Sequence, residues 1–248
     1  IICNFEDDLI LMGGAGLSTF PVIMMKKSDC DLLKQYAGNG LNASLVLPAS
    51  SGPNMLDGDF DNGIIAHEYG HGISTRLVGG GLGMSGSAEQ PGEGWSDWIW
   101  LAMQIKSGDT RNDARGIGTF TMNQATTGLG IREYRYSTDM AVNPHTFGDT
   151  NDQWYNDGTA DRVDVHGLGS IWAVMLWDLT WNYIDKYGYS SNIYNGTGGN
   201  NKVMRLVIDA MKLTPANPSL IDCRNAIIQA DLNTTNGQDY CMIWETFA

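Results

Sequence analysis

The chain has 248 residues, long enough to bury a full hydrophobic core. Its formal net charge is −13, with aspartate far outnumbering glutamate; this argues against a nucleic-acid partner, which needs a basic face. No apolar run reaches membrane-spanning length, because the most apolar stretch, 171–179, is broken by Asp178, so no membrane partner is expected.

In chain order, Pro21-Val22-Ile23-Met24-Met25 reads as a short buried strand. Ser28 is the expected cap of a short helix over 28–36, and 41–47 alternates weakly as a further strand. The glycine-rich stretch 12–16 lacks the Lys-Ser/Thr of a phosphate loop, which argues against a nucleotide site. Residues 49–54 read as a linker. Cys3 and Cys30 lie in this early segment, and Cys223 and Cys241 near the end. Their grouping predicts two local disulfides, Cys3–Cys30 and Cys223–Cys241, in an oxidising compartment.

The most informative stretch is His67-Glu68-Tyr69-Gly70-His71. On a helix, residues four apart share a face, so both imidazoles can reach one metal ion. The intervening glutamate is placed to handle a proton on a metal-bound water. Asp59, Asp61 or Asn62 can cap this helix, and Gly79-Gly80-Gly81 ends it. A glycine beside a metal-binding histidine, as at Gly70 and Gly72, often lets another backbone approach.

A zinc site of this type needs a third protein ligand and an open position. Gly92-Glu93-Gly94-Trp95-Ser96-Asp97 opens a second helical pattern, with Glu93 and Asp97 on one face. One carboxylate can bind the metal, and the other can accept the outer N–H of a ligand histidine and set its tautomer. Residues 108–162 show little periodicity and are expected to wall a substrate cleft. The strongest helix signal covers 165–187; its tryptophans, Trp172, Trp177 and Trp181, read as core. Further helices are predicted near 201–213, 218–231 and 238–247. His145 sits in an Asn-Pro-His turn and is assigned no chemistry.

The stretches HEYGHGISTRL (67–77) and GEGWSDW (92–98) resemble the fungalysin family of secreted zinc metallopeptidases, relatives of thermolysin whose third zinc ligand is a glutamate. GIREYRYS (130–137), VHGLGSIWAVML (165–176), WNYIDKYG (181–188), VMRLVIDAM (203–211), AIIQAD (226–231) and the final CMIW (241–244) follow in the family's order. The resemblance covers about residues 57–248. It implies a mainly α fold: the helical, zinc-bearing C-terminal lobe of a thermolysin-like metallopeptidase, preceded by a small α/β segment. Residues 1–48 look like the last part of an inserted protease-associated domain, with 49–60 as the connection and 61–248 as the peptidase lobe.

Carried over residue by residue, the resemblance implies one zinc per chain on His67, His71 and Glu93. Glu68 becomes the general base and proton shuttle, with Asp97 supporting a ligand histidine. His166 matches a histidine that stabilises the oxyanion, and Asp161 or Asp164 would orient it. Arg132, Tyr134 and Tyr136 are candidate substrate or oxyanion contacts, or else ordinary wall and strand residues. The aspartate runs 57–61 and 157–164 are candidate calcium sites, although caps and solvated loops explain them more simply. The second cysteine pair departs from the fungal pattern, in which the earlier cysteine falls a few residues sooner.

The implied activity is hydrolysis of internal peptide bonds in protein or peptide substrates. An N-terminal lobe of the same precursor would supply the rest of the cleft. The stretch therefore reads as a fragment, and an inactive or non-catalytic zinc-binding or interaction module is the alternative. Bacterial relatives carry the accessory-domain arrangement, so the expected setting is secreted, extracellular and bacterial.

Overall fold

The computed structural model describes residues 2–3, 24–36, 38, 56–81, 83, 87–156 and 160–248. The chain divides into two compact units, Ile1–Gly52 and Pro53–Ala248.

In the first unit, β1 (Ile2–Cys3) pairs in parallel with β2 (Met24–Met25), and α1 spans Lys27–Tyr36. The helix begins at Lys27, so Ser28 lies within its first turn and is not the cap. Cys3 and Cys30 form the expected disulfide, with Cα atoms 5.6 Å apart. The strand at 41–47, the glycine-rich stretch 12–16 and the linker at 49–54 lie outside the described residues.

The second unit is built on helices. α2 spans Asn62–Leu77, and of the three candidate caps Asp61 is the one used. Its Oδ1 accepts the Gly63 and Ile64 N–H groups at 2.8 and 3.3 Å. The helix stops where Gly79 and Gly80 take positive φ, and a side chain on Gly79 would lie 2.7 Å from Ala216 Cα. Next come α3 (Gly92–Gln104), a two-stranded antiparallel hairpin of β3 (Trp154–Asn156) and β4 (Asp161–Val163), and α4 (Val165–Tyr187). Then α5 spans Gly199–Leu213, α6 Leu220–Thr235 and α7 Tyr240–Thr246. The hairpin lies in the stretch expected to be irregular; strands of three residues are too short to show a period-two pattern. α6 starts later than predicted because Ser219 and Asp222 close a capping box ahead of it.

α4 is buried on nearly all sides, as its dense apolar sequence requires. One face joins Trp95 and Trp98 of α3, Val203 and Val207 of α5, Ile227 of α6 and Ile243 of α7 around Trp172 and Leu176. The opposite face packs Trp177 and Trp181 with Trp100, Ile117 and Tyr136. At about 25 cal/mol per Å2, each buried tryptophan contributes about 4–6 kcal/mol of transfer free energy. No described helix is long and apolar enough to cross a membrane.

The predicted Cys223–Cys241 disulfide does not form. Cys223 faces the core from the first turn of α6, and burial pushes its thiol well above 9. Arg224 stacks over Trp244 at 4.7 Å, so the part of α7 beside that turn is one helical turn beyond Cys241. Cys241 itself is exposed.

Asp178 is half-buried on α4 and, among the described residues, has no hydrogen-bond or ion-pair partner. Burial raises its carboxyl to about 6, against a smaller opposing pull from Arg111. The folded state then binds more protons than the unfolded chain between pH ~4 and ~6, so this group's contribution to stability falls as pH rises through that window. Asp178→Asn should stabilise the protein by about 2 kcal/mol at pH 7. Thermal melts should show that gain vanish by pH ~4.

Candidate metal centre

The two helices that carry the site approach closely because their contact residues are small. A side chain on Gly70 of α2 would lie 2.8 Å from Ser96 Cα of α3, so the role expected for this glycine is met. On the other side of α3, a Cβ on Gly94 would lie 2.5 Å from the Gly169 carbonyl of α4. One on Gly169 would lie 2.4 Å from Glu93 Cβ. Glycine at these positions lets α3 lie against both neighbours at backbone distance.

This packing brings His67, His71 and Glu93 together. Their nearest nitrogen and oxygen atoms are His67 Nε2 to His71 Nε2 at 3.1 Å, His67 Nε2 to Glu93 Oε2 at 3.2 Å, and His71 Nε2 to Glu93 Oε1 at 3.4 Å. Tetrahedral zinc with Zn–N and Zn–O bonds of about 2.0–2.2 Å holds its ligand atoms about 3.3–3.6 Å apart. The edge between the two imidazole nitrogens is close to that spacing, and the Glu93 carboxylate meets each histidine through a different oxygen at a similar distance. Among the described residues this is the one group of three or more His, Cys, Asp or Glu able to hold a metal ion. In the 57–61 run, the Asp57 and Asp61 carboxylates cap helical turns; in the 157–164 run, Asp164 caps α4 and 157–159 are outside the described residues.

Asp97 lies one turn beyond Glu93 and is fully buried. It accepts the His67 Nδ1–H at 2.6 Å, which leaves Nε2 facing the cluster. Arg132 donates to the same carboxylate through Nε at 2.8 Å and Nη2 at 3.1 Å, and reaches Glu93 Oε2 at 3.5 Å. Tyr136, also fully buried, donates its hydroxyl to Asp97 Oδ2. Burial alone would raise the Asp97 carboxyl, but His67 and Arg132 outweigh it and hold it below the usual carboxylate range. Burial and the Asp97 charge push the Tyr136 phenol well above 10, so it remains a donor.

Arg132 and Tyr136 were candidates for substrate or oxyanion contact. For Tyr136 the structure fits the other alternative, a wall residue, because no part of it is exposed and its hydroxyl is engaged by Asp97. Tyr134 is half-buried and packs its ring edge-on to His145 at 4.9 Å. His166 stands in the first turn of α4, exposed, with Nε2 3.6 Å from Glu93 Oε2. Asp164 caps that turn, its Oδ1 accepting the backbone N–H groups of His166 and Gly167. Asp161 is exposed on β4. Glu68 is exposed between the two histidines on α2, and among the described residues no hydrogen bond or ion pair engages it.

Two contributors escaped the sequence reading. Gly169 lets α4 reach Glu93, and Ser170 donates to the His166 carbonyl at 2.9 Å. Helical spacing from His166 places both within one turn of the site, but only α3 lying against that turn gives them a role.

Comparison with known proteins places the chain among the metallopeptidases. Residues 25–248 match the model of the fungalysin metallopeptidase (M36) family, and the chain belongs to that family. It is 42% identical over 244 residues to extracellular metalloproteinase 2 of Arthroderma gypseum, covering 89% of this chain and 37% of that protein. It is 41% identical over 202 residues to extracellular metalloproteinase 2 of Trichophyton tonsurans, covering 77% and 30%. It is also 37% identical over 270 residues to extracellular metalloproteinase 4 of Arthroderma gypseum, covering 99% and 38%. The chain thus spans 30–38% of the length of these relatives. All three come from fungi, which overturns the bacterial source expected from the accessory segment.

Burial lowers the His67 pKa, but the Asp97 and Glu93 carboxylates outweigh it and raise it to about 9 in the metal-free cluster. A raised histidine contributes stability that is full below the unfolded value of ~6.5 and is lost as pH rises through ~9. Melts in a chelator should therefore show the metal-free protein losing stability across that window. In the same window, a zinc ion taken up by this cluster would displace one proton from His67, so its apparent affinity should rise about tenfold per pH unit in competition titrations.

Proposed function

We propose that this chain is the zinc-bearing helical lobe of a secreted metalloendopeptidase that hydrolyses internal bonds of protein or peptide substrates. The observation that carries this reading is the convergence of His67 Nε2, His71 Nε2 and the Glu93 carboxylate, whose Oε2 lies 3.2 Å from His67 and whose Oε1 lies 3.4 Å from His71. Membership of a metallopeptidase family supports it, as do relatives named as extracellular metalloproteinases.

In this reading His67, His71 and Glu93 hold one zinc ion per chain. Zinc bound there would act as a Lewis acid, polarising the scissile carbonyl and acidifying a water molecule. Glu68, exposed beside His67, takes the attacking water's proton and later passes it to the leaving amine. His166, within 4 Å of Glu93, donates to the oxyanion that develops at the carbonyl. Asp161 or Asp164 would orient it; Asp164 Oδ1 accepts the backbone N–H groups of His166 and Gly167, which leaves its Oδ2 for this role. Asp97 and Arg132 hold His67 in the tautomer that presents Nε2.

A second reading is that the lobe binds zinc but does not cleave by itself. It is favoured by apolar exposure around α2: Phe60 and Tyr69 are 73% and 72% exposed, and Ile65 lies one turn before Tyr69. Such a surface beside Glu68 suits packing against an N-terminal lobe of the same precursor.

Elemental analysis should find about one zinc per chain, lost in Glu93→Ala. Glu68→Gln should retain the zinc while lowering peptide-bond cleavage by at least ~100-fold, measured on a quenched fluorescent peptide with the rest of the precursor supplied. No zinc in the parent chain, or full activity in Glu68→Gln, would sink the reading. Activity that appears only on adding the rest of the precursor would select the second one.

A further inference from the structure

We infer that Tyr136 is a positioning residue for the metal centre, acting through Asp97. A buried carboxylate that accepts from one side only can swing, and any rotation of Asp97 would move the imidazole it holds. His67 Nδ1 and Arg132 Nη2 both meet Oδ1, while Arg132 Nε and the Tyr136 hydroxyl meet Oδ2. Each oxygen therefore has two donors, Oδ1 from α2 and from the segment after α3 and Oδ2 from two side chains of that segment, and the carboxylate plane is set. Arg132 alone supplies two donors from one planar fork, which fixes orientation within that plane. The Tyr136 hydroxyl is a separate stop on the oxygen away from His67.

Tyr136 is well anchored for this task. Its backbone exchanges both hydrogen bonds with Arg115, at 2.9 and 2.8 Å. Its ring sits in the core among Trp100, Leu101, Ile117 and Trp177. Ser170, which donates to the His166 carbonyl, also neighbours the Tyr136 hydroxyl. The phenol thus stands between the turn that carries His166 and the carboxylate behind His67. A phenylalanine would fill the same core volume and lack only the hydroxyl, so packing does not account for the tyrosine.

The test uses the full chain with Tyr136→Phe, with Ser170→Ala as a second variant. Leu101→Ala removes core volume in the same cluster without removing a donor to Asp97, and reports what loosened packing does alone. The inference rests on the zinc reading above, so one readout is independent of metal. In the metal-free parent, the buried His67 Nδ1–H should give a downfield proton signal, assigned by 15N-histidine labelling. In Tyr136→Phe its exchange with solvent should quicken about tenfold, and zinc Kd in a chelator competition should rise about tenfold. Ser170→Ala should raise Kd by about two- to fivefold. The visible bands of the cobalt-substituted protein should shift in Tyr136→Phe and not in Leu101→Ala. Exchange and Kd within about twofold of the parent in both site variants would overturn the inference, as would an equal effect in Leu101→Ala. A parent chain that binds no zinc would sink the zinc reading, while the proton signal would still decide this one.

Discussion

A single buried carboxylate, Asp97, is the constraint around which the site is built. An ionised carboxylate with no solvent exposure is tolerated only when donors surround it. Its three donor residues come from two separate places in the chain: His67 on α2, and Arg132 and Tyr136 on the segment that follows α3. Meeting that demand pins the irregular segment to the two metal-site helices and fixes which imidazole nitrogen faces the cluster. Removing one partner of such a buried set typically costs about 3–5 kcal/mol, because the remaining charges are left without compensation.

The carboxylate could not play this role if the helices stood at ordinary separation. Gly70 against Ser96, and Gly94 and Glu93 against Gly169, bring three helices together at backbone distance. α3 is therefore held from both sides, and Glu93 meets the histidines of α2 and the first turn of α4 at once. The tryptophans of α3 and α4 lock this arrangement by filling the space on both sides of α4. The metal centre and the core are thus two faces of one packing solution.

Much of this was legible in the chain. The four-residue spacings of His67/His71 and Glu93/Asp97 depend only on helix geometry, and helix geometry is local. The tryptophan pattern of 165–187 announced a buried helix, and α4 is one. Other expectations failed for reasons of distance. Cys223 and Cys241 sit on neighbouring helices, but the register of α7 on α6 is set by Arg224 over Trp244, and no spacing rule contains that register. Tyr136 read equally as a cleft contact or as a wall residue, because an alternating, aromatic-rich segment looks the same whether it faces substrate or core.

The sequence by itself determined the helix that presents the two histidines and the candidate carboxylates four residues apart, because helix spacing is local; the order of motifs along the chain pointed to the family. The tertiary structure alone decided that Asp97 is fully buried, that Arg132 and Tyr136 serve it, that Asp164 caps α4, and that His166 reaches the edge of Glu93. Those are relations between elements more than thirty residues apart, or choices between near neighbours. They follow from how closely glycine lets the helices approach, a property of surfaces in contact that no local pattern encodes.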